Sequence, residues 1–392
     1  MLPQAFLDRI RLQLGPEYPA FLAAYDRPRA VGLRLNSLKT DRFPNLPFST
    51  APIPWAEHGF WYDPQARPGL HPWHEAGLYY LQEPSAMAPA ELLEVRPGER
   101  VLDLCAAPGG KATQLAAKMQ GQGLLVCNEY NPKRAKILSQ NIERMAVANA
   151  LVLQETPERL AARFPGWFHR VLVDAPCSGE GMFRKDPAAV AAWSPQHVAA
   201  CAKRQQAILG SAARAVAPGG LLVYSTCTFS QEENQGVVED FLKRHPVFQL
   251  ESAETLYPHR VKGEGHFVAR LRHTGPAGAE KPQGELELPL CKDRALAAFC
   301  KDAFAAMPPG EPVQLPDGRV LLLPQPLPKG LERVHMLTAG IYAGDLLRGR
   351  FQPSHALAMA TGLSWARRVT PQGEALARYL AGETLEVDAG LT

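Results

Sequence analysis

The chain has no long apolar run, no regular cysteine pattern and no strong excess of charge of either sign. Its longest apolar stretches, such as residues 320–323 and 124–127, are far too short to cross a bilayer. The opening segment, MLPQAFLDRI, carries Asp8 and Arg9 in its first turns and no basic lead into a long apolar core, so no secretory signal is expected. Seven cysteines among 392 residues are odd in number and sparse, which excludes a disulfide scaffold and fits a reduced, cytoplasmic setting. No Cys-x-x-Cys pair occurs, so neither a metal site nor a dithiol redox motif explains the thiols. A hydrophobic fraction of 46% and a charged fraction of 21% exclude wholesale disorder, and the length implies two or three domains. The formal net charge of +3 says little about a polyanionic partner. Locally, Lys329, Arg333, Arg348, Arg350, Arg367 and Arg368 face only Glu332 and Asp345, a cluster that reads either as a phosphate-binding surface or as a solvated basic face.

Residues 99–129 alternate as strand, helix, strand: an apolar run over 100–104, glycines at 109 and 110, a helix over 111–119 and a second strand over 123–129. Pro132 sits where the first turn of a helix tolerates proline, and the helix over 132–145 is expected to gather Ala135, Ile137, Leu138, Ile142 and Met145 on one side. Further strands are expected at 150–153, 170–174 and 221–225. A long helix over 196–217 precedes the last of these, and Pro218-Gly219-Gly220 stops it. Repeated β-α units of this length define an α/β fold with a doubly wound parallel sheet. On either side the texture changes. Residues 1–80 mix a helical start with proline-rich, aromatic segments. Residues 273–285 form a Gly/Pro/Ala-rich linker, and 286–392 make up one small domain with a hairpin turning at Asp317-Gly318. The central domain is thus expected over 81–272.

Cys105-Ala106-Ala107-Pro108-Gly109-Gly110-Lys111 closes the first strand of the series and opens a helix, so small residues and free N–H groups meet a ligand there. A nucleotide P-loop would need Gly at position 105 and Ser or Thr after Lys111; Cys105 and Ala112 stand there instead. G-x-G-x-x-G is also absent. The second strand ends in Glu129, placed to accept hydrogen bonds from both ribose hydroxyls of a nucleoside, and S-adenosylmethionine fits such a site. The bland alternative is a tight β-α turn with a solvent-facing Glu.

Two apolar strands run straight into polar turns bearing a thiol: VLVDAPCSG, with Asp174 and Cys177, and LVYSTCT, with Cys227. In a doubly wound sheet ligands bind at the carboxyl ends of strands, so these groups are expected to face the crevice beside Gly109. The other five cysteines read as buried, inert small residues. A thiol serves a methyltransferase for one kind of target. Carbon 5 of a pyrimidine becomes nucleophilic only after a thiolate adds at C6, and a carboxyl near N3 stabilises that adduct. One cysteine would be the nucleophile, the other would assist elimination, and Asp174 would hydrogen-bond or protonate at N3. Spacing leaves open which thiol attacks.

At these residues the sequence resembles the Sun/nucleolar-protein family of RNA cytosine-C5 methyltransferases. LDLCAAPGGKATQLA, VLVDAPCSGEGMFRKDP and YSTCTFSQEEN match its signature segments, and RAVGLRLNSLKT and YYLQEPSAMAPAELL match its lead-in, covering about the first 270 residues. The tail IYAGDLLRGRFQPSHALAMA is similar to a bacterial branch that methylates small-subunit ribosomal RNA. The resemblance implies a Rossmann-like methyltransferase domain, an N-terminal α+β RNA-recognition region and a small C-terminal β-rich, PUA-like domain that binds RNA. It implies Cys227 as nucleophile, Cys177 in product release and Asp174 at the base and near the cofactor. It also implies S-adenosylmethionine contacts from residues 105–111, Glu129 and Arg134. The family usually has an Asp after the third strand for the adenine amino group; here Glu155 is the nearest acid, in the run Leu153-Gln154-Glu155-Thr156.

The target base must be single-stranded or flipped out, and Met182, Phe183, Arg184 and Lys185 are placed to line the entrance or to pack locally. The expected partner is 16S rRNA or the small ribosomal subunit, with no membrane and a monomeric enzyme. The rivals are a tRNA enzyme of the same chemistry, a DNA cytosine-C5 methyltransferase, which would lack the Thr226-Cys227 segment, and a non-catalytic ribosome-assembly factor, in which the nucleophile or cofactor loop would have eroded.

Overall fold

The computed structural model describes residues 2–40, 46–276, 284–366 and 368–386. Most of the linker expected over 273–285, and Arg367 of the basic cluster, therefore lie outside the described residues. The N-terminal region opens with helices Gln4–Leu14 and Tyr18–Tyr25. The four-residue spacing of Phe6, Ile10 and Leu14 makes an apolar stripe. With Phe21 it packs on Phe183, Trp193, Phe229 and Tyr257 of the next region. An antiparallel sheet follows, β1 (Gly32–Leu35), β2 (Thr50–Pro52), β3 (Gly59–Tyr62) and β4 (Tyr79–Leu81), in the order β2-β3-β1-β4.

The central sheet has eight strands. Its parallel core is β5 (Arg100–Asp103), β6 (Leu124–Asn128), β7 (Ala150–Gln154), β8 (Phe168–Asp174) and β9 (Val216–Thr226). Antiparallel β10 (Phe248–Leu256) and β11 (His266–His273) extend one edge. The C-terminal strands are β12 (Glu311–Gln314), β13 (Arg319–Leu323), β14 (His335–Ala339), β15 (Ile341–Leu347) and β16 (Arg350–Pro353). The full order is β10-β11-β9-β8-β5-β6-β7-β14, while β12, β13, β15 and β16 form a separate antiparallel sheet. Helices cover both faces of the parallel core, which is the Rossmann-like arrangement expected from the β-α alternation.

Three local expectations are corrected. Ile137 is 46% exposed, because the buried stripe of helix Pro132–Arg144 runs through Ala135, Leu138, Ser139 and Ile142, and position 137 falls off that arc. Pro218-Gly219-Gly220 does not separate helix from strand. The helix, capped by Ser194, ends at Ala215, and β9 runs from Val216 through a bulge where its pairing with β8 jumps from Val216 to Leu221. The C-terminal region is not confined to its own sheet, since β14 adds to the central one, pairing His335 with Gln154 and Ala339 with Leu151. The hairpin turn does fall at Asp317-Gly318, where Gly318 has φ +93°.

Register positions the site. β8 and β9 are parallel neighbours with Asp174 opposite Ser225, so Cys177, three residues on, and Cys227, two residues on, leave the same edge of the sheet side by side. β5 lies on the other side of β8 and delivers the loop 105–111 to that edge.

Candidate active site

Cys177 Sγ and Cys227 Sγ are 3.2 Å apart. Both residues are half-buried, and so is Cys105, which was expected to be buried; Cys127, Cys201, Cys291 and Cys300 are buried as expected. The hydrogen bond to Cys227, together with burial, pushes the Cys177 thiol well above its ordinary range. Asp174 stands beside the pair. Its Oδ1 accepts from Ser225 Oγ at 2.8 Å, with His266 Nε2 at 3.4 Å, and its Oδ2 accepts from Lys111 Nζ at 2.8 Å. Burial opposes ionisation of Asp174, but Lys111 and His266 outweigh it and hold the carboxyl below its usual range. Burial and the neighbouring Lys111 in turn push the His266 imidazole below its ordinary value.

The two thiol-bearing turns are braced by residues that motif reading quoted but gave no role. Glu233 is fully buried and accepts from Ser178 N at 2.9 Å, from Ser178 Oγ, and from Gln205 Nε2 at 2.8 Å. Gln205 also donates to Pro176 O at 3.0 Å. Asn234 accepts from Thr226 Oγ1 at 2.6 Å and donates to Thr228 O at 2.9 Å. The segment Gln231-Glu232-Glu233-Asn234 thus grips both turns at once. Glu180, also fully buried, accepts from Arg9, Trp193 Nε1 and Phe229 N, which ties the N-terminal helix to the loop after Cys177.

The loop 105–111 is held from outside the strand-helix unit. Arg134 Nη2 donates to Ala107 O at 2.7 Å, and Asn141 Nδ2 donates to Pro108 O at 2.9 Å. Gly109 has φ +115°, a backbone only glycine adopts without strain. A fully buried Arg34 of β1 reaches across to donate to Gly110 O at 3.1 Å and Thr113 Oγ1 at 2.8 Å. Nothing in the local pattern around Arg34 announced this contact; a lone Arg inside an apolar strand was the only trace.

Beside the loop lies a cavity of about 550 Å³ whose wall includes Cys105, Glu129, Tyr130, Arg134 and Pro176. Glu129 is buried; Oε1 accepts from Asn131 N at 2.9 Å, while Oε2 has no hydrogen-bond partner, with Arg134 Nη1 at 3.2 Å. An unpartnered buried carboxylate oxygen at the end of β6 is what a ribose hydroxyl would satisfy, so the residues present fit an S-adenosyl group. Glu155 is not brought into that wall. Its carboxylate accepts from Thr156 N at 2.8 Å and faces Arg159 at 3.4 Å, while Thr156 and Glu158 line the cavity. Phe183 packs into the N-terminal aromatic cluster rather than lining an entrance, and Arg184 is engaged with Glu264 at 2.8 Å. Lys329, Arg333, Arg348, Arg350 and Arg368 are all exposed. One further carboxyl stands out: both oxygens of the fully buried Asp103 lack a hydrogen-bond partner, and burial, followed by Asp174, pushes its pKa up to about 8.

A Rossmann-like sheet, a glycine loop and an acid at the end of its second strand define an S-adenosylmethionine-dependent methyltransferase. Residues 90–272 match the family model described as 16S rRNA methyltransferase RsmB/F. Residues 2–84 match the N-terminal domain of 16S rRNA methyltransferase RsmF, and 298–361 match the RsmF rRNA methyltransferase first C-terminal domain. The chain belongs to this RsmB/F family of rRNA methyltransferases. It is 35% identical over 397 residues to ribosomal RNA small subunit methyltransferase F of Cronobacter sakazakii, covering 92% of this chain and 83% of that protein. It is 31% identical over 423 residues to the protein of the same name from Shewanella amazonensis, covering 99% and 90%. Among solved structures, a methyltransferase homologue from Pyrococcus horikoshii superimposes with a TM-score of 0.59 at 27% identity, over 69% of this chain and 99% of that one. No described helix is long and apolar enough to cross a membrane.

Proposed function

We propose that this chain methylates carbon 5 of a cytidine in 16S rRNA through a transient bond between Cys227 and C6 of the base. The observation that carries this reading is the 3.2 Å approach of two half-buried thiols beside an ionised Asp174. The Cys227 thiolate adds to C6 and pushes electron density to C5. Asp174, kept charged by Lys111, accepts a hydrogen bond from N3–H once that nitrogen has taken a proton from solvent, and N3 returns the proton to solvent when the sulfur–C6 bond breaks. Residues 105–111 and Glu129, with Arg134 behind them, would hold S-adenosylmethionine, which would supply the methyl group for the activated carbon. While Cys227 is free, its hydrogen bond keeps the proton on Cys177. Once the Cys227 sulfur is bonded to carbon, that hold is released, and Cys177 can lose its proton to solvent and take the one on C5. Loss of the C5 proton breaks the bond between sulfur and C6 and regenerates the Cys227 thiolate.

The target base has to leave its stack to present its face to sulfur, so a single-stranded or flipped nucleotide is required. The reading is tested by incubating the protein with methyl-labelled S-adenosylmethionine and, separately, naked 16S rRNA, assembled small subunits, tRNA and DNA. Label on carbon 5 of cytidine in 16S rRNA or the subunit is expected. Label on tRNA alone moves the substrate, and no transfer to any RNA leaves only RNA binding.

A further inference from the structure

A groove of about 590 Å³ opens between the segment before β1 and the turn joining β10 to β11, lined by Arg27, Arg29, Tyr62, Arg260 and Lys262 among others. Arg29 and Tyr62 also line an adjoining recess of about 230 Å³ that extends to Lys185 and Glu83. The walls are fixed by paired charges. Arg260 is bound to Glu17 at 2.6 and 2.8 Å, Arg184 to Glu264 at 2.8 Å, and Glu264 accepts from Ala30 N at 3.0 Å. Glu83 is occupied by the backbone N–H groups of Ser85, Ala86 and Glu264. Arg27, Arg29, Lys185 and Lys262 have no carboxylate partner among the described residues, and all four are exposed. The Lys262 ammonium lies 5.1 Å over the Trp61 ring, which holds it at the rim.

The groove adjoins the loop that leaves the proposed active site. Arg184 and Lys185 follow the Cys177 turn, and in that turn Gly181 N donates to Cys227 O at 2.8 Å. A Cβ on Gly181 would stand 2.8 Å from Gly265 O, so the turn after Lys262 is packed directly against it, and the next residue, His266, faces Asp174. Four unpaired cations along a rigid trench, with the half-buried ring of Tyr62 beside them, match a chain of phosphates carrying unstacked bases.

Resting on the function proposed above, we propose that this trench holds the single-stranded RNA flanking the target cytidine, with its phosphates on Arg29, Lys185 and Lys262. The Arg29→Ala, Lys185→Ala and Lys262→Ala variants, singly and combined, test it by fluorescence anisotropy with a labelled single-stranded oligoribonucleotide across a salt series. Each lost phosphate contact is expected to reduce the slope of log affinity against log salt by about 0.7, so the triple variant loses about 2. Its affinity for S-adenosylmethionine, read by calorimetry, is expected to stay unchanged. Lys243→Ala, on helix Gln235–Arg244, removes one exposed charge elsewhere and is expected to leave the slope alone. A triple variant that binds RNA with wild-type affinity and slope overturns the proposal, even where the wild type methylates rRNA. If that variant has instead lost binding to a poly-glutamate peptide, the trench belongs to a protein partner. A wild type that neither binds RNA nor labels it overturns the underlying function as well.

Discussion

Glu233 and Ser178 are joined twice, through the backbone N–H and the hydroxyl of Ser178, and this one buried contact sets where the Cys177 turn sits relative to Cys227. Gln205 completes the arrangement by binding both Glu233 and the carbonyl before Cys177. Glu233 touches neither thiol, so it positions rather than reacts. Its Oε2 meets two N–H donors, while its Oε1 meets the Ser178 hydroxyl, which can turn to donate to Thr228 Oγ1 at 2.9 Å instead. Glu233→Gln keeps the volume and can leave its oxygen on the two N–H donors, with its own N–H toward that hydroxyl.

Glu233→Gln is therefore expected to lower kcat by less than about tenfold, with affinity for S-adenosylmethionine unchanged. Glu233→Ala is expected to cost about 3 kcal/mol of stability as well, since it strands the Ser178 N–H and the Gln205 amide. Single-turnover kinetics and urea titration of the two variants separate the effects. A Gln variant as destabilised and as slow as the Ala variant would contradict this arrangement.

Asp103 gives the stability of the protein a pH dependence of unusual sign for a carboxyl. In the unfolded chain it ionises near pH 4, whereas burial keeps it protonated in the fold up to about pH 8. Between those values the native state holds one more proton than the unfolded state, so this group's contribution falls as pH rises, by up to about 1.4 kcal/mol per unit. Asp103→Asn removes that slope. Urea titrations from pH 5.5 to 8 are expected to show the variant gaining on the wild type as pH rises, and parallel curves would contradict the shifted carboxyl.

Cofactor affinity divides the two acids at the ends of β6 and β7. Glu129 lines the cofactor cavity, its Oε2 without a hydrogen bond and facing Arg134 at 3.2 Å, while Glu155, bound by Thr156 N and facing Arg159 at 3.4 Å, lies outside that wall. Glu129→Ala is expected to weaken S-adenosylmethionine binding by roughly tenfold to a hundredfold, the worth of hydrogen bonds to a charged acceptor. Glu155→Gln is expected to change it by less than about threefold. Calorimetry of both variants checks this, and the reverse order would place the adenine contact at Glu155.

The parallel core was legible because it rests on local signals. Short apolar runs, Gly109 and Gly110, and Pro132 at a helix start depend on neighbours a few residues away, and the strands fell within a residue or two of their expected places, except that β9 begins five residues early, at Val216. The polar turns carrying Asp174, Cys177 and Cys227 were legible for the same reason. What sequence could not supply was long-range. Pairing of β14 with β7 joins residues about 180 apart, and no periodicity encodes the partner of an edge strand. Arg34 reads as an anomaly in an apolar strand until its guanidinium is seen against Gly110 O. Phe183 took the packed one of its two expected environments, and Ile137 left its expected face, for similar reasons. One is covered by Phe6 and Trp193 from other elements, and the other misses the buried arc of its helix.

The assignment of the two thiols is tested most directly by trapping. Cys177→Ala and Cys227→Ala are each incubated with S-adenosylmethionine and 16S rRNA, then run on a denaturing gel. Cys177→Ala is expected to accumulate a covalent RNA–protein band, because the adduct forms at Cys227 and its release is slowed, while Cys227→Ala gives neither band nor product. A band from Cys227→Ala and none from Cys177→Ala would contradict the account and make Cys177 the attacking sulfur.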